Sequence, residues 1–257
     1  MNILSLGAGV QSTTVALMSA RGDLPRFDAA IFSDTGWEPA AVYTHLDWLE
    51  TQLPFPVIRV TAGNLRADAL ASTNSSGKAF SAIPWHIVRA DGSKSLGRRQ
   101  CTREYKLRPL QRKIVELMGG KRPKGGARVA VGISVDEAWR MKPSRVQYIA
   151  NYWPLLEARM RRRDCLAWLR DRQYPEPPKS SCIGCPFHDG TQWQALTPAE
   201  IVDAIEVDEA IRNVPGKRLQ QFMHSSGRPL AEVDLRSPAE QGQGDLFINE
   251  CEGMCGV

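Results

Sequence analysis

No stretch of the sequence reaches the roughly 18 consecutive apolar residues that a membrane-spanning helix requires. The residues from Met1 to Gly7 also lack the basic region and the long apolar run of a secretory signal. Cysteine is scarce, with six among 257 residues, whereas the hydrophobic content of 42% suffices for a core without disulfides. We therefore expect a cytoplasmic globular protein with no membrane partner, whose reduced cysteines serve metal or redox chemistry.

Charge is unevenly distributed along the chain. Residues 89–128 contain thirteen Lys and Arg against three Asp and Glu, whereas the whole chain carries a net charge of +5. A second basic run comprises Arg159 and the three arginines 161–163. Such clusters favour a polyanion such as nucleotide phosphates, sulfate or a nucleic-acid backbone, and a solvated basic helix face is the alternative.

The hydrophobic pattern alternates short apolar runs with amphipathic segments, which is typical of an α/β protein with an open, mostly parallel twisted sheet and helices on both faces. A loop over a site is predicted for residues 72–100, and one basic helix for 103–118. Four strands are predicted, at residues 2–6, 28–33, 56–60 and 128–133, and helices are predicted after Gly9 and at 39–53, 164–172 and 198–212.

Three predicted strands end in polar or glycine-rich loops, and the carboxyl ends of parallel strands are where such sheets bind ligands. The first loop, from Ser5 to Thr13, has the small residues that allow close approach to phosphates, but neither a Walker lysine nor G-x-G-x-x-G spacing. Turn chemistry alone is the alternative there. Asp34, after the second strand, can bind a ribose or an adenine amine, or it can cap a helix. The fourth strand ends in the segment Gly132-Ile-Ser-Val-Asp-Glu137, which Arg140 follows.

Six segments, in order, resemble one known family. They are Ser5-Leu-Gly-Ala-Gly-Val-Gln-Ser12, Asp34-Thr-Gly-Trp-Glu-Pro39, Cys101-Thr-Arg-Glu-Tyr-Lys-Leu-Arg-Pro-Leu110, Gly132-Ile133 through Arg140, Trp153-Pro-Leu155 with Asp164 and Trp168, and Cys182-Ile-Gly-Cys185. Together they resemble the phosphoadenylylsulfate (PAPS) reductase-like branch of the PP-loop ATP pyrophosphatases, an adenine-nucleotide α-hydrolase-like superfamily with a HUP/Rossmann-like fold. In place of the loop acid of that family, this chain has Gln11.

The resemblance implies an adenine nucleotide, ATP or PAPS with Mg²⁺, bound at this edge of the sheet. It also implies that residues 1–175 form the nucleotide domain and that residues 176–257 are a cysteine-containing C-terminal region packed on the nucleotide site. The implied nucleotide-binding residues are Ser5, Gly7, Gly9, Gln11, Ser12, Thr13, Asp34, Thr35, Gly36, Gly132 and Arg140.

Cys-x-x-Cys at 182 and 185 is by itself half a zinc site, a redox dithiol or half an iron–sulfur site. The resemblance implies a [4Fe–4S] cluster bound by Cys101, Cys182 and Cys185. Cys251 is then the fourth ligand and Cys255 the mobile nucleophile, although the two roles can be exchanged, or one iron can stay open for sulfide.

The remaining candidates have structural interpretations. Cys165 lies on the apolar side of its predicted helix, and His45 is expected on a helix surface. We expect His86, His188 and His224 to lie in loops with their hydrogen bonds satisfied. We expect Trp153, Trp168 and Trp193 to fill the core.

The leading functional hypothesis is a sulfur-transfer enzyme that adenylates an acceptor and then thiolates it. Nucleic acid, either tRNA or DNA, is the expected acceptor. Its expected partners are a sulfur donor or a thioredoxin-like reductant, and a homodimer is left open. The first alternative is an assimilatory PAPS or adenylylsulfate reductase that releases sulfite. The second is a non-catalytic nucleotide sensor or zinc-stapled adaptor, which the absence of the loop acid favours.

Overall fold

A computed structural model describes residues 1–71, 83–212 and 219–236. The strands in these ranges are β1 (Asn2–Leu6), β2 (Ala29–Asp34), β3 (Val57–Thr61), β4 (His86–Val88), β5 (Lys94–Leu96), β6 (Ala127–Val131), β7 (Ile149–Tyr152) and β8 (Gln220–Phe222). Five of them form a parallel sheet in the order β3-β2-β1-β6-β7. This arrangement confirms the predicted α/β class with an open parallel sheet.

The α-helices in the described ranges are α1 (Val10–Arg21), α2 (Ala40–Gln52), α3 (Leu65–Ala71), α4 (Arg108–Leu117), α5 (Pro154–Glu157), α6 (Arg162–Arg170), α7 (Gly190–Gln194) and α8 (Pro198–Arg212). The last begins as predicted, because the Thr197 hydroxyl accepts a hydrogen bond from the Glu200 N–H at 3.3 Å. None of these helices in the described part of the chain is long and apolar enough to cross a membrane.

Both faces of the sheet are covered. On one face, Leu4, Phe32 and Ala130 pack against α1, α2 and α6. On the other face, Ile31 and Val129 pack against the apolar side of α4. Alternate residues of each strand thus enter opposite cores, as strands buried on both sides require.

A second, antiparallel sheet in the order β5-β4-β8 corrects the predicted loop at 72–100. Residues 83–100 of that segment contain two three-residue strands, whereas residues 72–82 are outside the described ranges. Pairing with β8, more than 100 residues later in the chain, explains why so short a strand forms. Around this sheet lies a third core, which includes Trp85, Tyr105, Cys182 and Trp193.

The predicted basic helix at 103–118 is two structures. A π-helical segment covers Thr102–Leu107, and α4 follows it directly. Pro109 explains the change, because it has no N–H to donate back into the preceding turn. The N–H of Arg108 instead reaches five residues back, to the Arg103 carbonyl, which is the π-helical pattern.

Candidate functional site

A cavity of about 140 Å³ opens at the carboxyl ends of β1 and β6. The chain runs from β1 outward to β2 and β3 on one side, and β6 and β7 lie on the other. The cavity therefore occupies the topological switch point, where open α/β sheets bind their ligands. The residues that line it are Ser5, Leu6, Gly7, Gly9, Val10, Gln11, Ser12, Ile31, Phe32, Ser33, Lys106, Leu107, Leu110, Val131, Gly132, Ile133, Glu137, Arg140, Arg162, Pro178, Lys179 and Ser180.

The glycine loop leads directly into the start of α1. Ala8 adopts a left-handed backbone with φ +57°, which turns the chain sharply between strand and helix. Gly9 is the N-cap of α1 and has no side chain, so no capping side chain accepts a hydrogen bond from the N–H groups in the first turn of α1. The Ser12 hydroxyl accepts a hydrogen bond from the Gly7 N–H at 3.2 Å and thereby holds the loop. Backbone N–H groups at a helix start are suited to bind phosphate.

Gly132 allows the end of β6 to approach this helix start. A Cβ at position 132 would lie 2.8 Å from the Ser12 nitrogen, which is closer than atoms can approach. The need for glycine there comes from close packing at the cavity wall, and any side chain would push β6 and α1 apart.

Gln11 joins the three loops that surround the cavity. Its amide nitrogen lies 3.4 Å from both Ser134 Oγ and Glu137 Oε2, and its amide oxygen accepts a hydrogen bond from Arg162 Nη1 at 3.3 Å. Arg140 Nη1 donates to Glu137 Oε1 at 2.6 Å, and both side chains are buried. The buried carboxylate of Glu137, from the loop after β6, thus lies beside Gln11. Gln11 is the position at which the family named above would have an acid.

Charge in the cavity wall is predominantly positive. Lys106, Arg140, Arg162 and Lys179 are the cations of the wall, and Glu137 is its carboxylate. The side of the same cavity next to α4 is mainly apolar and includes Leu107 and Leu110. One side suits anionic phosphates and the other suits a flat apolar ring.

A second, smaller cavity, of about 20 Å³, lies next to the first and brings three cysteines together. The residues that line it are Thr35, Leu65, Ile83, Pro84, Arg99, Cys101, Thr102, Lys106, Cys182, Gly184, Cys185, Pro186 and Phe187. Cys101 comes from the start of the π-helical segment, and the other two thiols come from the loop before α7. The structure therefore places three of the predicted metal ligands at one location.

The Cys182 thiol contacts two polar groups of the loop after β2. Its sulfur lies 3.3 Å from Thr35 Oγ1 and 3.5 Å from Glu38 Oε1, to which Thr35 also donates at 3.0 Å. The Ile183 N–H donates to the Trp37 carbonyl at 2.9 Å. Thr35, predicted at the nucleotide, instead lines the cysteine cavity.

The donor set fits a thiolate-bound cluster. Thiolates are the ligands that iron–sulfur clusters take, and the remaining wall supplies apolar shielding and the cations Arg99 and Lys106. In the described ranges, no three His, Cys, Asp or Glu side chains form a group that could hold a metal ion. A cluster differs from one ion in that each thiolate binds its own iron, so the sulfurs lie farther apart than the ligands of a single ion do.

Two contacts connect the cavities. Lys106 lines both, and its ammonium lies 3.4 Å from Glu38 Oε1. Ser180, two residues before Cys182, donates a hydrogen bond from its hydroxyl to the Gly7 carbonyl of the phosphate loop. The segment that carries Cys182 is thus bonded to the proposed phosphate cradle.

Several predicted residues lie elsewhere. Thr13 is buried and pairs with His45, with Oγ1 and Nε2 3.0 Å apart. Asp34 accepts hydrogen bonds from the Gly36 N–H and the Tyr43 hydroxyl, at 2.7 and 2.8 Å, and so shapes the loop after β2. Cys251 and Cys255 lie outside the described residues, so the predicted fourth ligand and nucleophile stay predictions.

The prediction for His45 was wrong, and that for Cys165 is confirmed. His45 is buried against α1, and burial lowers its pKa from 6.5 to about 4. Cys165 is fully buried in the core between α1 and α6, and burial raises the pKa of its thiol to about 12. Cys165 is thus a protonated packing residue.

Sequence reasoning missed Glu38, Glu137, Arg162, Lys179 and Ser180 as site residues. Two of them had a readable signal, since Lys179 and Ser180 directly precede Cys182 in a proline-broken segment. Glu38 and Glu137 lie in the predicted strand-end loops and Arg162 lies in the second basic run, but none of the three was singled out, because only the folded sheet brings their loops together.

Neither a scan against protein-family models nor a search of curated proteins gives a match to this chain. The chemistry of the two adjoining cavities is therefore the basis on which a function can be assigned.

Proposed function

We propose that this protein is a PAPS reductase-like ATP pyrophosphatase that carries a [4Fe–4S] cluster and transfers sulfur to an activated acceptor. The observation that carries the proposal is the common wall of the two cavities, in which Lys106 lines both the cationic cavity and the three-cysteine cavity. Nucleotide chemistry and sulfur chemistry would then take place side by side.

The first cavity supports an adenine nucleotide as substrate. Its apolar side, which includes Leu107 and Leu110, offers a surface for a purine ring. Its opposite side offers the helix start after Gly9 together with guanidinium and ammonium groups. Arginine forks and helix N-termini are both suited to phosphate oxygens.

Activation of an acceptor by ATP would begin with attack of an acceptor oxygen on the α-phosphorus. The bond from that phosphorus to the bridging oxygen breaks, and pyrophosphate leaves with Mg²⁺. Arg140, Arg162 and Lys179 would neutralise the charge that develops on the phosphate oxygens. The ion pair with Glu137 would hold Arg140 in position before the nucleotide binds.

The second cavity supports a cluster bound by Cys101, Cys182 and Cys185. When bound, such a cluster supplies iron at which sulfur can be held or electrons exchanged. Thr35, whose hydroxyl lies 3.3 Å from the Cys182 sulfur, would donate a hydrogen bond to the thiolate, and the apolar walls would exclude water from it. Arg99, whose guanidinium lies 5.2 Å from the centre of the Phe187 ring, would add positive charge beside the thiolates.

Two product assays on anaerobically purified protein test the proposal. With ATP, sulfide and total tRNA as the acceptor, we expect pyrophosphate release that Arg140→Met abolishes, because the variant loses the guanidinium in the wall. With PAPS or adenylylsulfate and thioredoxin, we expect no sulfite. Sulfite release without ATP-dependent pyrophosphate release would identify the reductase alternative. The absence of both products from protein with a full iron content would contradict an enzymatic function of either kind.

A further inference from the structure

Trp139 is the most exposed of the large apolar side chains in the described residues, with 69% of its surface accessible to solvent. Its neighbours Val135 and Met141 are also exposed. All three belong to, or directly follow, the 3₁₀ turn Val135–Arg140, which forms part of the rim of the first cavity. Three exposed large apolar side chains within seven residues, at the rim of a proposed active site, favour an interaction site.

The turn directs its residues to two sides. Glu137 and Arg140 are buried and line the cavity. Asp136 and Trp139 are exposed to solvent, and the backbone kinks at Glu137 between them. Trp139 thus lies on the outside of the segment that supplies two of the cavity's charged residues.

The second basic run lies directly beside this outer face. The Val135 N–H donates to the Met160 carbonyl at 2.9 Å, and the Arg162 N–H lies 3.2 Å from both carboxylate oxygens of Asp136. These bonds attach the start of α6 to the Trp139 turn. Arg159 has a left-handed backbone with φ +54° just before it, where the chain bends into the basic run.

The exposed charges here are predominantly positive. Between residues 135 and 163 there are seven Lys and Arg against three Asp and Glu. Of the three acids, Glu137 is buried against Arg140, and Asp136 binds the Arg162 N–H. The exposed cations of this stretch are Lys142, Arg145, Arg159, Arg161 and Arg163.

We propose that Trp139 and the surrounding arginines form a docking surface for an unpaired loop of RNA. One base would stack on the Trp139 indole, and the adjacent phosphates would contact Arg161 and Arg163. Because Arg162 also lines the first cavity, the bound strand would lie at the mouth of the nucleotide site. This inference rests on the proposed function, since it names RNA as the acceptor of the transferred sulfur.

Unpaired RNA fits this surface better than other polyanions do. A membrane surface or a DNA duplex offers negative charge but no free base face for the indole. An acidic protein offers charge, but stacking between arginine planes and an indole is how single-stranded bases are bound. The combination of an exposed aromatic ring and guanidinium groups on one face therefore selects splayed-out nucleotides.

The test measures the affinity of the full-length, anaerobically purified chain for a fluorescein-labelled RNA stem–loop by fluorescence anisotropy over a salt series. Trp139→Ala should weaken binding about fivefold or more with an unchanged salt slope. Trp139→Phe should retain most of the affinity. Arg161→Gln with Arg163→Gln should lower the salt slope by about 1.4, which corresponds to two phosphate contacts on a single strand.

A matched control removes two exposed charges from the other basic tract, through Lys121→Gln with Lys124→Gln. This control should bind as the wild type does. Three results would each overturn the proposal: wild-type affinity of Trp139→Ala, equal weakening by the control pair, or equally tight binding of duplex DNA. The assay contains no nucleotide, so it fails or succeeds independently of ATP binding, which equilibrium dialysis measures on the same preparation.

Discussion

Lys106 and Glu38 form an ion pair in the wall between the two cavities, with Nζ and Oε1 3.4 Å apart. The Glu38 side chain is 1% exposed and that of Lys106 15% exposed. The same carboxylate oxygen accepts from Thr35 and contacts the Cys182 sulfur. Any anion that draws the ammonium of Lys106 into the first cavity would therefore change the electrostatic environment of a cysteine in the second.

Removal of one partner from this pair should destabilise the protein strongly. Lys106→Met leaves the Glu38 carboxylate buried without its cation, which should lower the free energy of unfolding by about 3 kcal/mol. The double variant Lys106→Met with Glu38→Gln should recover part of that loss, because no unpaired charge is left in the wall. Urea unfolding of the two single variants and the double variant measures the coupling, and strictly additive losses would contradict it.

Gly132→Ala should weaken nucleotide binding. The added methyl would lie 2.8 Å from the Ser12 nitrogen, so the start of α1 must move away from β6 and the phosphate cradle must widen. We expect ATP affinity to fall by about tenfold or more, which corresponds to about 1.4 kcal/mol. Gly97→Ala is the control, since its methyl would make ordinary contacts of 3.4 Å or more near β5. Equal ATP affinity of both variants by calorimetry would refute this account of Gly132.

Gly184→Ala should act on the other cavity. A Cβ between the paired cysteines would lie 2.0 Å from Trp37 Cη2, so either the indole or the cysteine loop must shift. Trp37 is buried and its Nε1 donates to Asp203 at 2.6 Å, so the loop is the part expected to give way. We expect a reduced iron content with nearly unchanged ATP affinity. Iron analysis and calorimetry on one preparation separate the two effects, and full iron loading would show that the loop tolerates the methyl.

His45 should make stability depend on pH in the acidic range. Burial lowers the pKa of His45 from 6.5 to about 4, so between these values the unfolded chain binds a proton that the folded chain does not. The free energy of unfolding therefore falls as the pH decreases through this window. His45→Gln should reduce the loss between pH 7 and pH 5 by up to about 2 kcal/mol. Urea titrations at both pH values measure it, and an unchanged difference would mean that His45 contributes nothing.

Regular periodicity made parts of the fold predictable from sequence. Val42, Leu46 and Leu49 recur at helical spacing, and all three are fully buried on α2 as expected. The small residues after β1 likewise predicted a turn into a helix at the sheet edge. Each of these features is local, so neighbouring residues suffice to reveal it.

Features that depend on distant pairing were not predictable. β4 is three residues long and forms because β8 supplies hydrogen bonds from far along the chain. His45 lies three residues after Val42 and four before Leu49, on the buried face of α2, but only the packing of α2 against α1 gives it Thr13 as a partner. For the same reason Glu137 and Glu38 escaped notice, since each belongs to a loop whose neighbours are set by the sheet order.

The iron and acid-labile sulfide content of anaerobically purified cysteine variants tests the central claim most directly. We expect about four irons per chain in the wild type and in Cys165→Ala, whose thiol is buried in the core. Cys101→Ala, Cys182→Ala and Cys185→Ala should each lose most of the iron, because all three thiols line one cavity. Wild-type iron in these three variants, or equimolar zinc in place of iron, would contradict a cluster beside the nucleotide cavity.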